Sequence, residues 1–249
     1  MSRTGTDTRT QSGWLVVLAK APRAGQVKTR MVPPLTPAQA AEFYASLLED
    51  VLRATARFAC DLGLLPVVSV NPPDACAEIA RMAPASFRVV AQRGGSLSER
   101  MTWAVREAAA SGATRILLRG SDSPALGGQT VAHALRDLET SDLVVCPDLD
   151  GGYSLIGLRR PASGLFDHPM STRTALDDTL ARAAELGLRT RMQAPSFDLD
   201  TIEDLRLLAD LRSHPDTLDL CKHTLAYIDR HDLWRHLARP IPRPGLFSA

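Results

Sequence analysis

Residues 15–31, LVVLAKAPRAGQVKTRM, join a short apolar run to a basic loop. The run has the length and the β-branched content of a buried strand. The loop breaks at Pro22, passes through Gly25 and contains no acid. Backbone N–H groups can turn inward at a glycine, and Lys and Arg neutralise oxyanions, so such a loop suits a phosphate group. A solvated basic loop is the alternative interpretation. The cations of the loop are Lys20, Arg23, Lys28 and Arg30.

Length, composition and charge limit the protein class. The chain has 249 residues, of which 45% are hydrophobic, and this predicts one globular α/β domain. A formal net charge of +1 argues against a general nucleic-acid-binding protein and makes any polyanion site local. No apolar run reaches the length of a membrane span. The four cysteines lack CxxC spacing and three lie in apolar or helical settings, which predicts buried, reduced thiols in a cytoplasmic protein.

Predicted strands and helices alternate along the chain. Thr36 and Pro37 are residue types preferred at a helix N-terminus, and apolar residues then recur every three or four positions. The alternation predicts parallel βαβ units with helices on both faces of a sheet. Neither a Walker GKS/GKT loop nor a GxGxxG fingerprint is present. The predicted strands are 15–18, 64–70, 87–91, 115–118, 143–146, 153–158 and 189–192, and the predicted helices are 37–52, 75–82, 97–110, 128–138, 171–186, 201–211 and 218–237.

A carboxylate follows the predicted strand at 115–118. Asp122 lies in the segment GSDSP directly after that strand. Open α/β sheets place their ligands at the carboxyl ends of central parallel strands, and an Asp there can hold a divalent cation that bridges phosphate oxygens. The alternative role of Asp122 is to cap the helix that follows Pro124.

Two acid pairs follow later strands. The Asp-Gly-Gly turn at 150–152 predicts that Asp148 and Asp150 return over the sheet edge. Farther along, the segment 197–205 reads FDLDTIEDL. Thr201 fits the N-cap of the next helix together with Asp204. This assignment leaves the remaining pair of that segment, Asp198 and Asp200, without a structural role.

A second candidate nucleotide surface is QRGGSLSERM at residues 92–101. It has two glycines at a strand end and then a predicted helix with Arg100 in its first turn. A flexible turn followed by a surface arginine explains the same residues equally well.

Four motifs taken in order carry a resemblance to a known superfamily. They are KAPRAGQVKTRM, QRGGSLSERM, GSDSPAL with PDLDGGYSLIGL, and FDLDTIEDL. Together they resemble the nucleotide-diphospho-sugar transferases, in particular a bacterial glycosyltransferase-like branch related to the molybdenum-cofactor and phospholactate guanylyltransferases. The resemblance covers Leu15 to about Leu211. It implies a Rossmann-like three-layer α/β/α domain with a mostly parallel central sheet, the A-type glycosyltransferase fold.

The resemblance also implies roles for individual residues. Divalent metal, Mg²⁺ or Mn²⁺, would bind Asp122 and Asp200. For catalysis we expect Lys28 and Arg30 to supply positive charge to the pyrophosphate, and Asp150 to take a proton if the transfer is glycosyl or to position the acceptor if it is nucleotidyl. The phosphates would lie on Lys20, Gly25, Lys28 and Arg30, the base or ribose near Gln92, Gly94, Leu97 and Arg100, and the second substrate on Asp150, Gly151, Gly152 and Tyr153.

The chain departs from the family pattern at four positions. The family usually has an acid at Ser96, a Gly at Ser98, a Cys at Ser123 and a Trp at Met170. A Ser at position 98 keeps the backbone farther from a nucleotide base than a Gly would. Met170 changes a wall on the acceptor side. These departures bear on substrate identity more than on the fold.

The sequence predicts a domain plan and favours one reaction. Residues 1–13 are a polar, disordered leader, 14–212 the transferase-like domain, and 213–249 a helical extension with a Pro-rich tail. The cation-rich loop and the single Asp122 favour nucleotidyl transfer from an NTP to a phosphorylated small molecule. The Asp148-Leu149-Asp150 pattern and the family label favour glycosyl transfer from an NDP-sugar. A non-catalytic nucleotide-binding protein is the third hypothesis. No nucleic acid or membrane span is expected, and a homodimer is left open.

Overall fold

Strand β1 (Gly13–Lys20) lies inside a seven-stranded sheet in the computed structural model, which describes residues 13–237. It pairs in parallel with β2 (Leu65–Asn71) on one side and with β4 (Arg115–Gly120) on the other. Its apolar residues are buried on both faces, as the sequence predicts for this run. The predicted leader (except residue 13) and the Pro-rich tail at 240–244 lie outside the described residues.

The sheet order is β3-β2-β1-β4-β6-β5-β7. Strand β6 runs antiparallel to both of its neighbours, and all other pairings are parallel. The predicted single α/β domain with a mostly parallel central sheet is therefore confirmed. The remaining strands are β3 (Arg88–Ala91), β5 (Leu143–Pro147), β6 (Tyr153–Leu158) and β7 (Thr190–Met192).

Helices cover both faces of the sheet and form two hydrophobic cores. The predicted N-terminus of the first helix is confirmed, because Thr36 and Gln39 form a reciprocal capping box there. One core lies under α1, α2, α4, α6, α7 and α8, and the other lies under α3 and α5. The helices are α1 (Pro37–Leu62), α2 (Cys76–Met82), α3 (Leu97–Ala110), α4 (Gly128–Asp137), α5 (Ala175–Glu185), α6 (Leu205–Leu211), α7 (Pro215–Leu220) and α8 (Lys222–Arg230).

The predicted capping role of Thr201 is wrong. Helix α6 begins at Leu205, and the Asp204 carboxylate accepts hydrogen bonds from the backbone N–H groups of Asp200 (3.0 Å) and Thr201 (2.6 Å). The Thr201 hydroxyl donates to the same carboxylate at 2.8 Å. An ionised carboxylate is a stronger acceptor than a hydroxyl, so Asp204 takes the backbone donors and fixes the segment ahead of the helix.

The predicted continuous helix over 218–237 is also wrong. Helices α7 and α8 are separate, and a short 3₁₀ turn follows at Leu233–His236. The break has a clear cause in Asp50 of α1, whose carboxylate accepts from the N–H groups of His223 and Thr224 and from the Thr224 hydroxyl at 2.7–2.9 Å. Asp50 therefore satisfies the free donors at the start of α8 and docks that helix on α1.

The cysteine prediction holds only in part. All four thiols are free, and Cys146 and Cys221 are buried, but Cys76 is half-buried and Cys60 is exposed on α1. None of the helices described in residues 13–237 combines the length and hydropathy needed to cross a membrane.

We expect Asp50→Asn to destabilise the protein by about 1–3 kcal/mol, since buried donors lose their charged acceptor. Asp50 is only 3% exposed, and the Asn amide cannot accept all three hydrogen bonds. Urea unfolding measures the change. Asp61→Asn, at an exposed position on the same helix, is the control and should change stability by less than about 0.5 kcal/mol. Equal effects of the two substitutions would contradict the docking role of Asp50.

Candidate active site

A cavity of about 880 Å³ opens at the edge of the sheet where the parallel strands end. Its walls come from the loop after β1, the ends of β3 and β4, the β5–β6 turn, the segment before α5 and the segment after β7. Antiparallel β6 starts at this same edge, because a short turn connects it to β5. Open α/β sheets bind their ligands at such an edge, so this cavity is the candidate site.

Lys28 lies at the centre of the cavity wall between two carboxylates. Its Nζ is 2.5 Å from Asp122 Oδ1 and 2.7 Å from Asp200 Oδ1, and its side chain is 2% exposed. The backbone of Lys28 is left-handed (φ 47°), and a 3₁₀ turn at Thr29–Met31 follows and buries Met31. Burial lowers the pKa of Lys28, but the two carboxylates outweigh it and hold that pKa above its ordinary value. Lys28 is thus a buried counter-ion.

The two predicted metal ligands, Asp122 and Asp200, do come together, but around an ammonium group. The Lys28 ammonium faces these carboxylates in the place where the resemblance implies a metal. Arg30 lies at the rim with 62% of its side chain exposed, and its Nη1 is 3.4 Å from Asp200 Oδ2. Burial raises the pKa of Asp200, but Lys28 and Arg30 more than offset this, so its pKa is lowered. The alternative capping role of Asp122 is not seen, since the N-cap of α4 is Gly127.

A second group of carboxylates lies beside Asp122 and Asp200. Of its members, only Asp150 is among the site residues predicted from the sequence. Ligand oxygens of Asp148, Asp150 and Asp198 all lie within 4.8 Å of one another. Burial and then the carboxylates of Asp198 and Asp150 raise the pKa of Asp148 to about 8. Burial and then Asp200 and Asp150 raise the pKa of Asp198 to about 7. The signal in the sequence was the pair of D-x-D patterns, but their burial is not visible in a sequence.

Most predicted site residues line the cavity, and three glycines do not. Gly25 (φ 74°) makes a turn ahead of the lining residues. Gly94 (φ 114°) packs against Glu99, and a Cβ at Gly151 would collide with the Arg173 carbonyl. These glycines shape the backbone and do not form the wall. The predicted residues in the lining are Lys20, Lys28, Arg30, Gln92, Leu97, Arg100, Asp122, Asp150, Gly152, Tyr153 and Asp200.

Gln92 and Arg100 already have protein partners. The buried Gln92 amide donates to the carbonyls of Ser69 (2.8 Å) and Ala19 (3.3 Å), which joins the ends of β1, β2 and β3. The Arg100 guanidinium donates to the carbonyls of Gly94 and Gly95 and so holds the glycine turn on the start of α3. Both residues stabilise the wall that faces the cavity, and a contact with a base or ribose stays a prediction.

The acceptor side is built from the β5–β6 turn and the start of α5. Asp150 Oδ1 accepts from the Gly152 N–H (3.0 Å), and the Gly151 carbonyl accepts from the Leu176 N–H (2.9 Å). Burial raises the pKa of Tyr153 to about 12, and its hydroxyl lies 3.6 Å from the Met170 sulfur. Helix α5 therefore locks the turn, and two side chains with apolar surface form the wall beside it.

Tyr44 is a site residue that the sequence did not reveal. Its apolar spacing on α1 predicts only a core position, and the ring is indeed buried. The Tyr44 hydroxyl accepts from the Lys20 N–H (2.9 Å) and shares a hydrogen bond with Ser121 Oγ (2.8 Å). It thereby ties the end of β1 to the end of β4, next to Asp122.

Comparisons with known proteins bear on the fold. The family model described as uncharacterized proteins conserved in bacteria (DUF2064) matches residues 55–172, just under half of the chain. A crystal structure from Desulfovibrio desulfuricans G20, provisionally named a nucleotide-diphospho-sugar transferase, superposes with a TM-score of 0.82 and 28% identity over 91% of this chain and 98% of that chain. The fold is that of the nucleotide-diphospho-sugar transferases. The resemblance seen in the four sequence motifs is thus confirmed.

Nucleotidyltransferases share this fold at lower identity. A CMP:2-keto-3-deoxy-manno-octonic acid synthetase complexed with CTP superposes with a TM-score of 0.52 and 14% identity, over 81% of this chain and 98% of that chain. A 4-diphosphocytidyl-2C-methyl-D-erythritol synthase has the same TM-score and coverage at 17% identity. No curated protein matches the sequence significantly. The structural relatives are therefore transferases, and the two cytidylyl enzymes show the fold alone.

We expect Asp148→Asn to stabilise the protein more at pH 9 than at pH 5. The pKa of Asp148 rises from 3.8 to about 8 on folding, so the folded state binds the proton more tightly than the unfolded state does. The contribution of Asp148 to the free energy of unfolding therefore falls as the pH rises through this window, whereas Asn cannot ionise. The gain should be at least about 1 kcal/mol larger at pH 9, since each unit of pKa shift corresponds to 1.36 kcal/mol.

Urea unfolding at both pH values measures this difference. Asp210→Asn, at an exposed position on α6 outside the cavity lining, is the matched control and should show no such pH dependence. A stability change for Asp148→Asn that is the same at pH 5 and pH 9 would show that Asp148 ionises normally in the folded protein.

Proposed function

We propose that this protein is a nucleotidyltransferase that uses an NTP and a phosphorylated small-molecule acceptor. One observation carries the proposal: the cavity at the sheet edge has cations on one wall and carboxylates on the other. Lys20 and Arg100 line the wall formed by β1, β3 and α3, and Arg30 lies at its rim. A triphosphate carries more negative charge than a diphosphate ester, so a cation-rich wall favours an NTP over an NDP-sugar.

The proposed reaction needs no nucleophile from the protein. A phosphate oxygen of the acceptor attacks the α-phosphorus of the NTP, a new P–O bond forms, and the bond to the β-phosphate breaks with release of pyrophosphate. The phosphate is already ionised at neutral pH, so no general base is required. Lys20, Lys28 and Arg30 would neutralise the charge that develops on the leaving pyrophosphate. Cations positioned in advance are the main contribution that the protein makes.

The donor set of this site fits Mg²⁺ or Mn²⁺, because carboxylate oxygens are the ligands that these hard cations prefer. Asp122 and Asp200 are the ligands implied by the resemblance, and Asp148, Asp150 and Asp198 offer three further oxygens. When bound, the metal would neutralise phosphate oxygens and orient the NTP. The raised pKa values of Asp148 and Asp198 imply that cation binding near neutral pH releases protons.

The acceptor would bind on the β5–β6 side of the cavity. Asp150, Gly151, Gly152 and Tyr153 form or shape that side. Arg173 also lines it, is exposed and makes no ion pair within the described residues. An unpaired arginine facing the cavity suits an acceptor that carries a phosphate. The fold of the CTP-bound synthetase described above supports nucleotide use in this cavity.

Glycosyl transfer from an NDP-sugar to a small acceptor is the second candidate. Its support is the Asp148-Leu149-Asp150 pattern at the cavity and the provisional name of the Desulfovibrio protein. Here a hydroxyl of the acceptor would attack C1 of the sugar, and Asp150 would take its proton. A non-catalytic nucleotide-binding protein, the third hypothesis, has less support because binding alone does not need five carboxylates in the cavity lining. The proposal has three further parts. The protein is cytoplasmic, residues 14–212 form the catalytic region, and residues 213–249 form an extension.

Binding and product assays test the proposal directly. The protein with Mg²⁺ should bind one or more NTPs more tightly than the corresponding NDP-sugars in calorimetry or thermal shift. With phosphorylated acceptors added, pyrophosphate should appear. Tighter binding of an NDP-sugar, with release of the nucleoside diphosphate and no pyrophosphate, would favour glycosyl transfer. Binding of a nucleotide with no turnover for any acceptor class would favour the non-catalytic hypothesis.

Lys20→Ala should weaken NTP binding about tenfold or more, because one charged hydrogen bond contributes about 1.5–3 kcal/mol. Lys20 lines the cavity, and its ammonium forms no ion pair within 4 Å among the described residues. Arg23→Ala is the matched control from the same loop, since Arg23 lies outside the lining and pairs with Asp74 at 2.8 Å. Calorimetry with Mg²⁺ and the preferred NTP measures both. Equal affinities of the two variants would place the phosphates elsewhere.

Asp150→Asn separates the two leading reactions. The variant keeps an oxygen for the Gly152 N–H and so preserves the turn, but it cannot accept a proton. For nucleotidyl transfer we expect kcat within several-fold of wild type and a raised acceptor KM. For glycosyl transfer a positioned base contributes about 10²–10⁴-fold. A kcat loss of that size, with loss of the acidic limb of the pH–rate profile, would overturn the nucleotidyl proposal.

A further inference from the structure

Arg119 is the largest side chain that the described fold buries completely, and no carboxylate neutralises it. The residue is 1% exposed and lies on β4 in the core shared with α1 and α8. Its Nη1 donates to Thr55 Oγ1 (3.2 Å) and its Nη2 to the Ser123 carbonyl (2.9 Å). Its Nε has no partner. Within residues 13–237 no carboxylate lies within ion-pair distance of the guanidinium.

Packing alone does not account for this residue. A charge taken out of water without an opposite charge costs several kcal/mol, and an apolar side chain of similar volume is often neutral or stabilising in such a place. Burial lowers the pKa of Arg119 to about 10, in keeping with this penalty. Strained or costly groups that persist in a fold concentrate at functional sites.

The contact with Ser123 connects Arg119 to the candidate site. Ser123 follows Asp122 directly, and this short loop has three attachments besides the ion pair of Asp122 with Lys28. Ser121 Oγ bonds to Tyr44, the Asp122 carbonyl accepts from the Leu199 N–H (3.1 Å), and the Ser123 carbonyl accepts from Arg119. The Ser123 carbonyl also accepts from the Leu126 N–H (3.3 Å), but Arg119 is its charged donor, so this bond holds the end of the loop against the sheet.

We propose that Arg119 is a positioning residue for Asp122. Its guanidinium fixes the carbonyl of Ser123, and this holds the Asp122 carboxylate where it meets Lys28 and Asp200. The inference deepens the proposed function and rests on it for the chemical use of Asp122, while the positioning itself is a property of the folded chain.

The test compares Arg119→Met with Arg119→Lys and with Thr55→Val. Met removes the charge and both hydrogen bonds, Lys keeps the charge and a donor, and Val removes only the Nη1 partner. Two measurements use the protein without nucleotide. One is hydrogen exchange of the Leu199 amide, which bonds to Asp122, against the Val16 amide in β1 as a reference. The other is Mn²⁺ affinity by electron paramagnetic resonance.

For Arg119→Met we expect exchange at Leu199 to accelerate at least tenfold relative to Val16 and Mn²⁺ affinity to fall at least tenfold. The urea midpoint should be unchanged or raised, which a purely structural role would not produce. Arg119→Lys should restore part of the protection at Leu199 and part of the Mn²⁺ affinity, and Thr55→Val should change neither quantity. Normal exchange at Leu199 in folded Arg119→Met would overturn the proposal.

Two further outcomes keep the test decisive. If Arg119→Met does not fold, Arg119→Gln replaces it. The Gln amide carries no charge and ends two bonds short of the position of the Arg119 Nη2. The same changes in Leu199 exchange and Mn²⁺ affinity are expected. If the wild type binds no nucleotide, the proposed function fails, whereas the exchange measurement still decides the role of Arg119.

Discussion

The ion pairs of Lys28 with Asp122 and Asp200 are the interaction on which the whole site depends. They join the loop after β1, the end of β4 and the segment after β7, and one of them spans 172 positions of the chain. Burial penalises the charges of Lys28 and Asp200, and the attraction between them offsets this penalty. The same contact therefore determines the position of the basic loop and lowers the pKa of Asp200.

This arrangement divides the carboxylates of the cavity into two kinds. Asp200 lies against Lys28 and has a lowered pKa, whereas burial and neighbouring carboxylates raise the pKa of Asp148 to about 8 and that of Asp198 to about 7. Groups with different protonation within one cavity are typical of functional sites. Under the proposed function, the phosphates of a nucleotide on the cation-rich wall would face these carboxylates, so a divalent cation bound with them would offset the repulsion.

Local signals explain where sequence-based prediction succeeded and where it failed. Helix α3 and strand β6 have the predicted bounds. A capping box of Ser96 and Glu99 starts α3, and a glycine turn precedes β6. The cap assigned to Thr201 failed since Asp204, also nearby, is a stronger acceptor. The single C-terminal helix failed for a different reason. The group that breaks it, Asp50, is 173 positions away in the sequence.

The sequence by itself determined the strands of the sheet, their mostly parallel direction and the acids and cations at the sheet edge. These features follow from apolar periodicity and turn residues, which act over a few positions. Only the tertiary structure decided what those residues do to one another. Lys28 became a buried counter-ion of Asp122 and Asp200, Asp148 and Asp198 came to line the same cavity, and Arg119 became a buried support of Asp122. These roles depend on burial and on distances of a few ångströms, which exist only after distant segments have packed together.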